Sequence, residues 1–209
     1  MILPRALKMV NTIELFCGTK SFSKVAKAKG YNTFTVDIDK QFNPDLVSDI
    51  MDLDISKLPK NPLIVWASPP CEKFSVATIG RNWNRDHTPK TNEAREALKL
   101  VLKTIELIKE LKPKYWIIEN PRGKLRKLID FGDRYTVAYC QYGDNRKKPT
   151  DLWTNITTWK PKEVCKNGAS CHISAPRGSN TGTQGLKNKI LRGVIPPELI
   201  KEILQSIEE

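Results

Sequence analysis

The chain has 209 residues, 39% of them apolar, so it can bury one substantial core, and its length favours a single domain. It contains no apolar run near the roughly 20 residues that a membrane-spanning helix needs, and residues 1–10 lack the long apolar core of a signal peptide. We therefore predict an intracellular, cytoplasmic protein without a membrane partner, and the formal net charge of +12 favours a polyanionic partner.

Strand-like apolar segments alternate with helix-like segments along the chain. Because strands separated by helices form parallel β-α-β units, this order predicts an α/β fold with a doubly wound, mostly parallel sheet. Ligands of such sheets bind beyond the carboxyl ends of the strands. The predicted strands are Thr12–Phe16, Asn32–Asp37, Leu63–Ala67, Tyr115–Glu119 and Tyr135–Gln141.

Three segments have helical character. A short helix is predicted over Ser21–Lys29, with Gly30 at its C-cap. A longer one is predicted over Glu93–Leu111, where apolar residues recur every three to four positions and Asn92 is the expected N-cap. The segment Ile195–Ile207 has the same spacing and should pack against the domain.

The first two strands have the layout of a nucleoside-binding half-site. Gly18 follows the first strand and would let the backbone approach a ligand closely, whereas Asp37 ends the second strand, where a carboxylate can hydrogen-bond ribose hydroxyls. The sequence has one glycine here in place of a full G-x-G-x-x-G phosphate loop, which favours a cofactor without a pyrophosphate. S-adenosylmethionine is the natural candidate.

Cys71 and Glu119 each stand at the end of a further apolar run, beside prolines. A thiolate and a carboxylate placed together are the groups that an enzyme needs to add to a pyrimidine ring. Because an isolated thiol is mostly protonated at neutral pH, a nearby positive charge is needed, and either Arg146 or Lys148 could supply it.

The remaining cysteines do not form an evident disulfide framework. Cys17 and Cys140 lie in or beside strand patterns and are predicted to be packing residues. Cys165, Cys171 and His172 could supply three metal ligands, but their spacing misses the common finger knuckle and a fourth ligand is not evident. No metal site is therefore predicted from the sequence.

Two polar segments do not fit a regular layer. Gly80–Thr91 is predicted to be a mobile loop, and Asn167–Asn188 an exposed loop region. Basic residues are concentrated in Lys112–Lys148, with ten against four acidic residues, and in Lys160–Arg192, with seven against one. A basic face of this kind suits a nucleic acid.

Several motifs occur in the order found in one enzyme family. Pro70-Cys71-Glu72-Lys73-Phe74-Ser75 is similar to a P-C-x-x-F-S motif, and it is followed by Glu119-Asn120-Pro121 and Gln141-Tyr142-Gly143. From about Thr12 to Ile207 the chain resembles a small cytosine-C5 DNA methyltransferase of the compact, phage-like type. The resemblance implies a Rossmann-like class I methyltransferase fold, a virus-encoded origin, and S-adenosyl-L-methionine as cofactor, with S-adenosyl-L-homocysteine as its product.

The resemblance implies roles for matched positions. Cys71 would attack C6 of cytosine and Glu119 would hydrogen-bond N3 and the 4-amino group. Arg146 and Lys148 would be the catalytic cations, although Asp144–Thr150 matches the family's Q-x-R-x-R pattern only approximately. The residues expected to hold the cofactor are Phe16, Gly18, Asp37, Ile38, Asp49, Ile50 and Pro69. Three of these, Phe16, Ile38 and Ile50, could instead be ordinary core residues.

The resemblance also implies a nucleic-acid surface. An enzyme of this kind must flip its target base out of the duplex, and the loop after Cys71 would act as the clamp. In that loop Trp83 would either support the displaced base or anchor the loop on the core. The expected contacts are Ser75, Arg81, Trp83, Arg85, Lys160, Lys162, Arg177, Lys187 and Lys189. DNA is the expected substrate of a monomer, and the alternatives are RNA or a silent nucleic-acid-binding protein on the same fold.

The chain is predicted to divide into three regions. Residues 1–159 would form the catalytic domain, residues 160–192 a short basic recognition region, and residues 193–209 a helix that packs back on the catalytic domain. Larger relatives carry a target-recognition domain in the interval between Trp153 and Arg192, and about forty residues cannot form a large one. Relaxed or very short sequence specificity is therefore expected.

Overall fold

A computed structural model describes residues 11–174, 186 and 188–208 of the chain. Seven strands form one sheet in the spatial order β3-β2-β1-β4-β5-β7-β6. All neighbouring strands are parallel except β7, which runs antiparallel between β5 and β6. The strands are β1 (Asn11–Leu15), β2 (Asn32–Asp37), β3 (Leu46–Val47), β4 (Ile64–Ala67), β5 (Tyr115–Pro121), β6 (Asp133–Ala138) and β7 (Pro149–Thr154). The predicted doubly wound, mostly parallel sheet is thus confirmed.

Five helices lie among the described residues. They are α1 (Ser21–Ala28), α2 (Ile79–Asn82), α3 (Asn92–Leu111), α4 (Lys189–Gly193) and α5 (Pro197–Glu208). At the start of α3 the cap is Thr91, whose side chain accepts a hydrogen bond from the Ala94 amide, and the predicted cap, Asn92, is the first helical residue instead. Gly30 follows α1 with a φ of 89°, as expected for a residue that ends a helix.

The two faces of the sheet are covered by different helices. On one face α3 buries Val101, Ile105 and Ile108 in a cluster that contains Ile13 and Val65 of the sheet. Burial of these apolar side chains is the main force that holds the helix on the sheet. None of the helices within the described ranges is long and apolar enough to cross a membrane.

On the other face, α1 and α5 share a second apolar cluster. Phe22 of α1 stacks on Trp66 of β4 with 5.2 Å between the ring centroids, and Leu199 and Ile203 of α5 are fully or almost fully buried in the same cluster. The C-terminal helix therefore covers the central strands, and both helical layers leave the carboxyl edge of the sheet open for a site.

Candidate active site

A cavity of about 620 Å³ lies along the carboxyl edge of β1, β4 and β5. This volume is within the range of pockets that enclose a small molecule. Its walls combine the loops after three neighbouring strands with residues of the β7 start and of α4. The residues that line it include Glu14, Phe16, Cys17, Gly18, Pro69, Cys71, Glu72, Ser75, Glu119, Lys148, Lys189 and Arg192.

At the β1 end of the cavity, Asp37 organises the strand-end loops. Its carboxylate accepts a hydrogen bond from the Gly18 amide at 2.9 Å and another from the Asp39 amide at 2.9 Å. Because a carboxylate has about four acceptor positions, it retains capacity for ligand hydroxyls. Gly18 has a φ of 43° and no neighbouring heavy atom near its missing side chain, so the backbone there is open to a ligand.

Two of the apolar residues expected at the cofactor remain accessible, and one does not. Phe16 lines the cavity, whereas Ile38, just after β2, is 65% exposed but, like Asp37, is not among the lining residues. Ile50 is only 3% exposed and belongs to the core cluster under α3, so the expectation that it lines the site is corrected here. Asp49 likewise caps a short 3-10 helix by accepting from the Met51 amide at 2.9 Å. Among the described lining residues, neither Asp49 nor Ile50 occurs.

Glu14 is a buried carboxylate that sequence reasoning did not assign to the site. It accepts hydrogen bonds from the Phe22 and Ser23 amides at 3.2 and 2.8 Å, at the start of α1. Burial raises the pKa of Glu14 to about 7. This carboxylate therefore ties the β1 strand to α1 and fixes the loop that contains Gly18.

A second thiol, that of Cys17, also borders the cavity. Burial, with added repulsion from Asp37 and Glu14, raises the pKa of Cys17 to about 12. Its thiol therefore stays protonated and behaves as the small packing residue that the strand pattern predicted.

Cys71 lies in a tight turn after β4, where the amides of Phe74 and Ser75 donate to its carbonyl at 3.0 and 3.1 Å. Burial raises the pKa of the Cys71 thiol, the negative charge of Glu119 raises it further, and the positive charge of Lys148 opposes both. The thiolate that a nucleophile requires therefore depends on the cation beside it.

Glu119 points into the same end of the cavity from β5 and is 6% exposed. The Tyr139 hydroxyl donates to its Oε1 at 2.9 Å, so one carboxylate oxygen is held in a fixed orientation. Tyr139 is fully buried, and sequence reasoning missed it. Its position just before the Gln141-Tyr142-Gly143 motif was the available signal.

The structure separates the two candidate cations. Lys148 lines the cavity, its Nζ donates to the Arg192 carbonyl at 2.8 Å, and it stands 4.6 Å from the ring centroid of Tyr139. Burial lowers the pKa of Lys148, and the negative charges of Glu119 and Cys71 oppose that effect. Of the two expected cations, Lys148 is therefore the one that lines the cavity and whose charge acts on the Cys71 thiol.

Arg146, the other expected cation, is engaged elsewhere. Its guanidinium forms a buried ion pair with Asp144 and donates to the carbonyls of Leu191, Arg192 and Val194. All of these partners are in the turn of Arg146 itself or around α4. The expectation of a catalytic Arg146 is corrected: this side chain holds α4 against the hairpin of β6 and β7.

A backbone contact joins the loop of Cys71 to the loop after Glu119. The Lys124 amide donates to the Phe74 carbonyl at 2.7 Å, and Ser75 forms an isolated bridge with Gly123. A Cβ atom added at Gly123 would come within 2.2 Å of the Phe74 carbonyl oxygen, so only glycine permits this approach. The contact fixes the separation of the thiol and the carboxylate.

The segment Gly80–Thr91, predicted to be a mobile loop, is ordered through specific contacts. Trp83 is 2% exposed, stacks on Phe74 at 5.6 Å, and donates from Nε1 to the Lys73 carbonyl at 2.7 Å. Two interpretations of Trp83 were left open. The structure supports the one in which Trp83 anchors the loop on the core, and the expected contact with the displaced base is corrected accordingly.

Of the described residues expected to contact nucleic acid, Ser75 and Lys189 line the cavity, whereas the others do not. Arg81, Arg85 and Lys160 are exposed, and Ser75 lines the cavity. Lys162 donates to the Gln141 carbonyl at 3.2 Å and lies over the Tyr142 ring, whereas Lys189 pairs with Glu72 at 2.9 Å across the cavity rim. The expected contacts Arg177 and Lys187 lie outside the described residues.

Comparison with known proteins assigns this arrangement to a family. A sequence model of C-5 cytosine-specific DNA methylases matches residues 10–128, which is more than half of the chain. The chain belongs to this family. A relative from Frog virus 3 (isolate Goorha), named "Probable DNA (cytosine-5)-methyltransferase", is 33% identical over 212 residues, covering 92% of this chain and 97% of the relative.

One solved structure shows the same fold in a larger methyltransferase, and a second is similar over a comparable share of this chain. A prophage-encoded E. coli protein, provisionally described as a DNA modification methyltransferase, has a TM-score of 0.51 at 19% identity, over 75% of this chain and 52% of that one. The methyltransferase EhMeth of Entamoeba histolytica has a TM-score of 0.49 at 16% identity, over 80% of this chain and 58% of that one. This cytosine-C5 methylase family member therefore spans about half the length of the solved structures that it matches.

Proposed function

We propose that the protein transfers a methyl group from S-adenosylmethionine to C5 of cytosine in DNA, through a covalent adduct at Cys71. The observation that carries this proposal is the grouping of Cys71, Glu119 and Lys148 at one end of a cavity whose other end is formed by Phe16 and Gly18. A nucleophile, a base-binding carboxylate and a cofactor pocket would thereby share one enclosed space.

The β1 end of the cavity fits a nucleoside cofactor that has no phosphate. Asp37 would bind the ribose hydroxyls, Phe16 and the exposed Ile38 would contact the adenine, and Gly18 would allow the backbone to approach. Pro69 forms the wall between this end and Cys71. When bound, S-adenosylmethionine supplies an electrophilic methyl group on its sulfonium.

Cys71 would begin the reaction by adding its thiolate to C6 of the cytosine ring. The new S–C6 bond places electron density at C5, which then takes the methyl group. A water molecule then takes the C5 proton, and the electrons of that C–H bond expel the thiolate from C6, which restores the aromatic ring and free Cys71. This covalent route divides one difficult step into easier ones.

Glu119 and Lys148 would stabilise the addition in different ways. Glu119 would accept from the 4-amino group and share a proton with N3, which withdraws electron density from C6 and selects cytosine over thymine. Lys148 would favour the thiolate of Cys71 through its charge. Tyr139 positions Glu119 by donating to Oε1, which leaves Oε2 for the base.

A duplex would need to release its target base, since C5 and C6 are stacked inside the helix. The exposed Arg81 and Arg85 lie on the segment after Cys71 and would contact the phosphates beside the displaced base. DNA is supported as the substrate by the family description and by the name of the viral relative.

The short interval after β7 bears on specificity. We propose that residues 160–192 recognise DNA mainly through phosphate contacts, with relaxed or very short sequence preference. Bisulfite sequencing of a treated random-sequence DNA pool is expected to show methylation spread over many contexts. Recovery of one long, strict site would overturn this part of the proposal.

The proposed reaction is tested by identifying its product. The purified chain, methyl-labelled S-adenosylmethionine and either DNA or RNA are incubated, and the polymer is digested to nucleosides for mass analysis. We expect 5-methyldeoxycytidine with the wild type and none with Cys71→Ala, while both proteins bind the cofactor. DNA with 5-fluorocytosine should trap the wild type covalently, because the fluorine prevents the last proton loss.

Other outcomes have defined meanings. 5-Methylcytidine from RNA, with an unmodified DNA sample, would replace DNA as the substrate and leave the chemistry of Cys71 intact. A lack of product on both polymers, in a preparation that binds the cofactor, would contradict catalysis and favour a nucleic-acid-binding protein.

A further inference from the structure

Four metal-ligating side chains outside the cavity converge at one place. The Sγ atoms of Cys140, Cys165 and Cys171 and a ring nitrogen of His172 all lie within 4.8 Å of one another. We propose that these three cysteines and one histidine bind a single structural zinc ion in a tetrahedral site. Three of the ligands were considered from the sequence, and the structure supplies the fourth, Cys140.

The separations between these atoms fit a common central ion. Sulfurs that are 2.3 Å from a tetrahedral zinc ion are about 3.8 Å apart, and a sulfur and an imidazole nitrogen are about 3.6 Å apart. The Sγ atom of Cys140 is 3.4 Å from that of Cys165 and 3.7 Å from that of Cys171. His172 Nδ1 is 3.6 Å from the Cys165 sulfur and 3.5 Å from the Cys171 sulfur.

A disulfide accounts for this cluster less well than a metal ion. A disulfide needs two sulfurs about 2.0 Å apart, and it would leave the third thiol and the imidazole without a function. All the cysteines are in the free thiol form. Three thiolates and one neutral imidazole are instead a common complete ligand set for structural zinc, which has no open position for catalysis.

The surroundings also suit a thiolate centre. The side-chain amide of Gln141 donates to the Cys171 sulfur at 3.3 Å and reaches the Cys140 sulfur at 3.9 Å. Amide donors of this kind stabilise metal-bound thiolates and orient them. With Nδ1 of His172 facing the sulfurs, its Nε2, which is buried and has no hydrogen-bond partner among the described residues, would carry the proton of the neutral ring.

The proposed ion would join two parts of the chain that are distant in sequence. Cys140 follows β6, whereas the other three ligands are in the segment after β7. Two backbone contacts support this junction: the Ile173 amide donates to the Asn145 carbonyl at 2.9 Å, and the Lys162 amide donates to the Tyr142 hydroxyl at 2.9 Å. The zinc would thus fix residues 160–174 beside the hairpin that contains Tyr139 and Lys148.

This role explains how a short recognition segment keeps a defined shape. Residues 160–174 contain no helix or strand of their own and bury few side chains. A segment with so little core needs another source of order, and a structural metal is a common one in small irregular units. We therefore infer that zinc organises the surface that faces the nucleic acid and has no direct part in methyl transfer.

Metal content of the full chain tests the proposal directly. After purification in zinc-containing medium and gel filtration, we expect about one zinc per chain by elemental mass spectrometry. Cys171→Ser and His172→Ala should lose most of this zinc, whereas His172→Cys should retain it. Cys71→Ala is the matched control, because it removes a cysteine from the cavity and should keep the full zinc content.

A second measurement uses the wild type alone and so does not depend on the folding of a variant. Cobalt added to the chelator-treated protein should give the intense visible and sulfur-to-metal absorption of a tetrahedral thiolate site, and zinc should displace it. Removal of zinc should also lower the melting temperature by about 5–10 °C and expose residues 160–174 to proteolysis.

Some results would overturn the site. The first is a wild-type protein that contains no zinc and takes up none when its thiols are reduced. The second is a cobalt spectrum of octahedral type. The third is a disulfide between two of the three cysteines, found in peptides that were not reduced. None of these results depends on methyl transfer, so failure of the zinc site and failure of the proposed reaction are distinguishable.

Discussion

The inner end and the rim of the cavity are built in different ways. At the inner end Glu119, Tyr139 and Lys148 are held by hydrogen bonds or ring contacts to buried neighbours, and the loop of Cys71 is joined to the loop of Gly123 by backbone. At the rim, Ile38 is 65% exposed and Lys189 pairs with Glu72 where water reaches both side chains. Groups that perform the proposed chemistry are therefore fixed before any ligand binds, whereas groups that would meet the ligands first remain adjustable.

The largest expected effect comes from the inner carboxylate. Glu119→Gln should lower kcat by about 10²–10³-fold, the usual cost of losing one preorganised hydrogen-bonding group. The amide cannot share a proton with N3 as the carboxyl group does. Methyl transfer under saturating cofactor is the measurement, and Glu110→Gln, an exposed change at the end of α3, is the control. Equal kcat values for the two variants would contradict the role of Glu119.

The next effect concerns the backbone contact that joins the two loops. Gly123→Ala should cost about 1–3 kcal/mol of unfolding free energy, because the new Cβ would collide with the Phe74 carbonyl. It should also lower kcat by about 10–100-fold, since displacement of Cys71 relative to Glu119 disturbs the reacting geometry.

Denaturant unfolding and single-turnover kinetics check both parts of this prediction. Gly80→Ala provides the control, because a Cβ there meets no heavy atom within 4 Å. A Gly123→Ala protein with wild-type stability would show that the two loops are not tightly coupled.

A smaller effect is expected when the inner cation is removed. Lys148→Met should lower activity at neutral pH by about 10-fold, because less of the Cys71 thiol would be in the thiolate form without the cation. Burial and Glu119 raise that pKa and Lys148 opposes them, so loss of the cation raises it further. The activity, which rises with pH as the thiolate forms, should therefore rise at a higher pH in the variant.

The pH dependence of kcat/KM and of Cys71 alkylation measures this shift, with Cys71→Ala giving the background from other thiols. Lys148→Arg keeps a positive charge and should restore part of the profile. An unchanged alkylation profile in Lys148→Met would mean that the thiolate is stabilised in another way.

The smallest effect is expected at the rim. Lys189→Ala removes an ion pair whose side chains are 73% and 64% exposed, and such pairs contribute about 0–1 kcal/mol. Stability should therefore change by less than about 0.5 kcal/mol, and the KM for the cofactor by less than about threefold. Lys201→Ala, from a similarly exposed pair on α5, is the control. A large loss of kcat in Lys189→Ala would contradict the view that the catalytic groups lie at the inner end of the cavity and not at its rim.

Much of the fold was predictable because its signals are local. The apolar runs and helical spacing predicted the five strands β1, β2, β4, β5 and β6 and three of the helices, and they placed Gly18 and Asp37 after or at the ends of β1 and β2. Strand β7 was not predicted. Its sequence, PTDLWT, includes the buried polar residues Thr150 and Asp151, and the Asp151 carboxylate accepts hydrogen bonds from Arg126, 25 residues away, and from Thr136.

The parts of the site that were missed depend on contacts between distant residues. From the sequence, Arg146 and Lys148 were equally good candidates for the catalytic cation. Arg146 is distinguished only by its hydrogen bonds to carbonyls around α4, some 45 residues later. Trp83 was ambiguous for the same reason, because its stacking on Phe74 is a tertiary contact. Cys140 matched a strand pattern, and its proximity to Cys165 appears only after the chain has folded.

The position of α5 has a consequence for how the protein is made. This helix covers Trp66 and Phe22 on one face of the central strands, yet it is encoded after every other element of the sheet and its helical layers. During synthesis that apolar face stays open to water until residues near 200 have left the ribosome. We therefore expect the sheet to complete its folding late in translation, and the incomplete chain to need protection from aggregation until then.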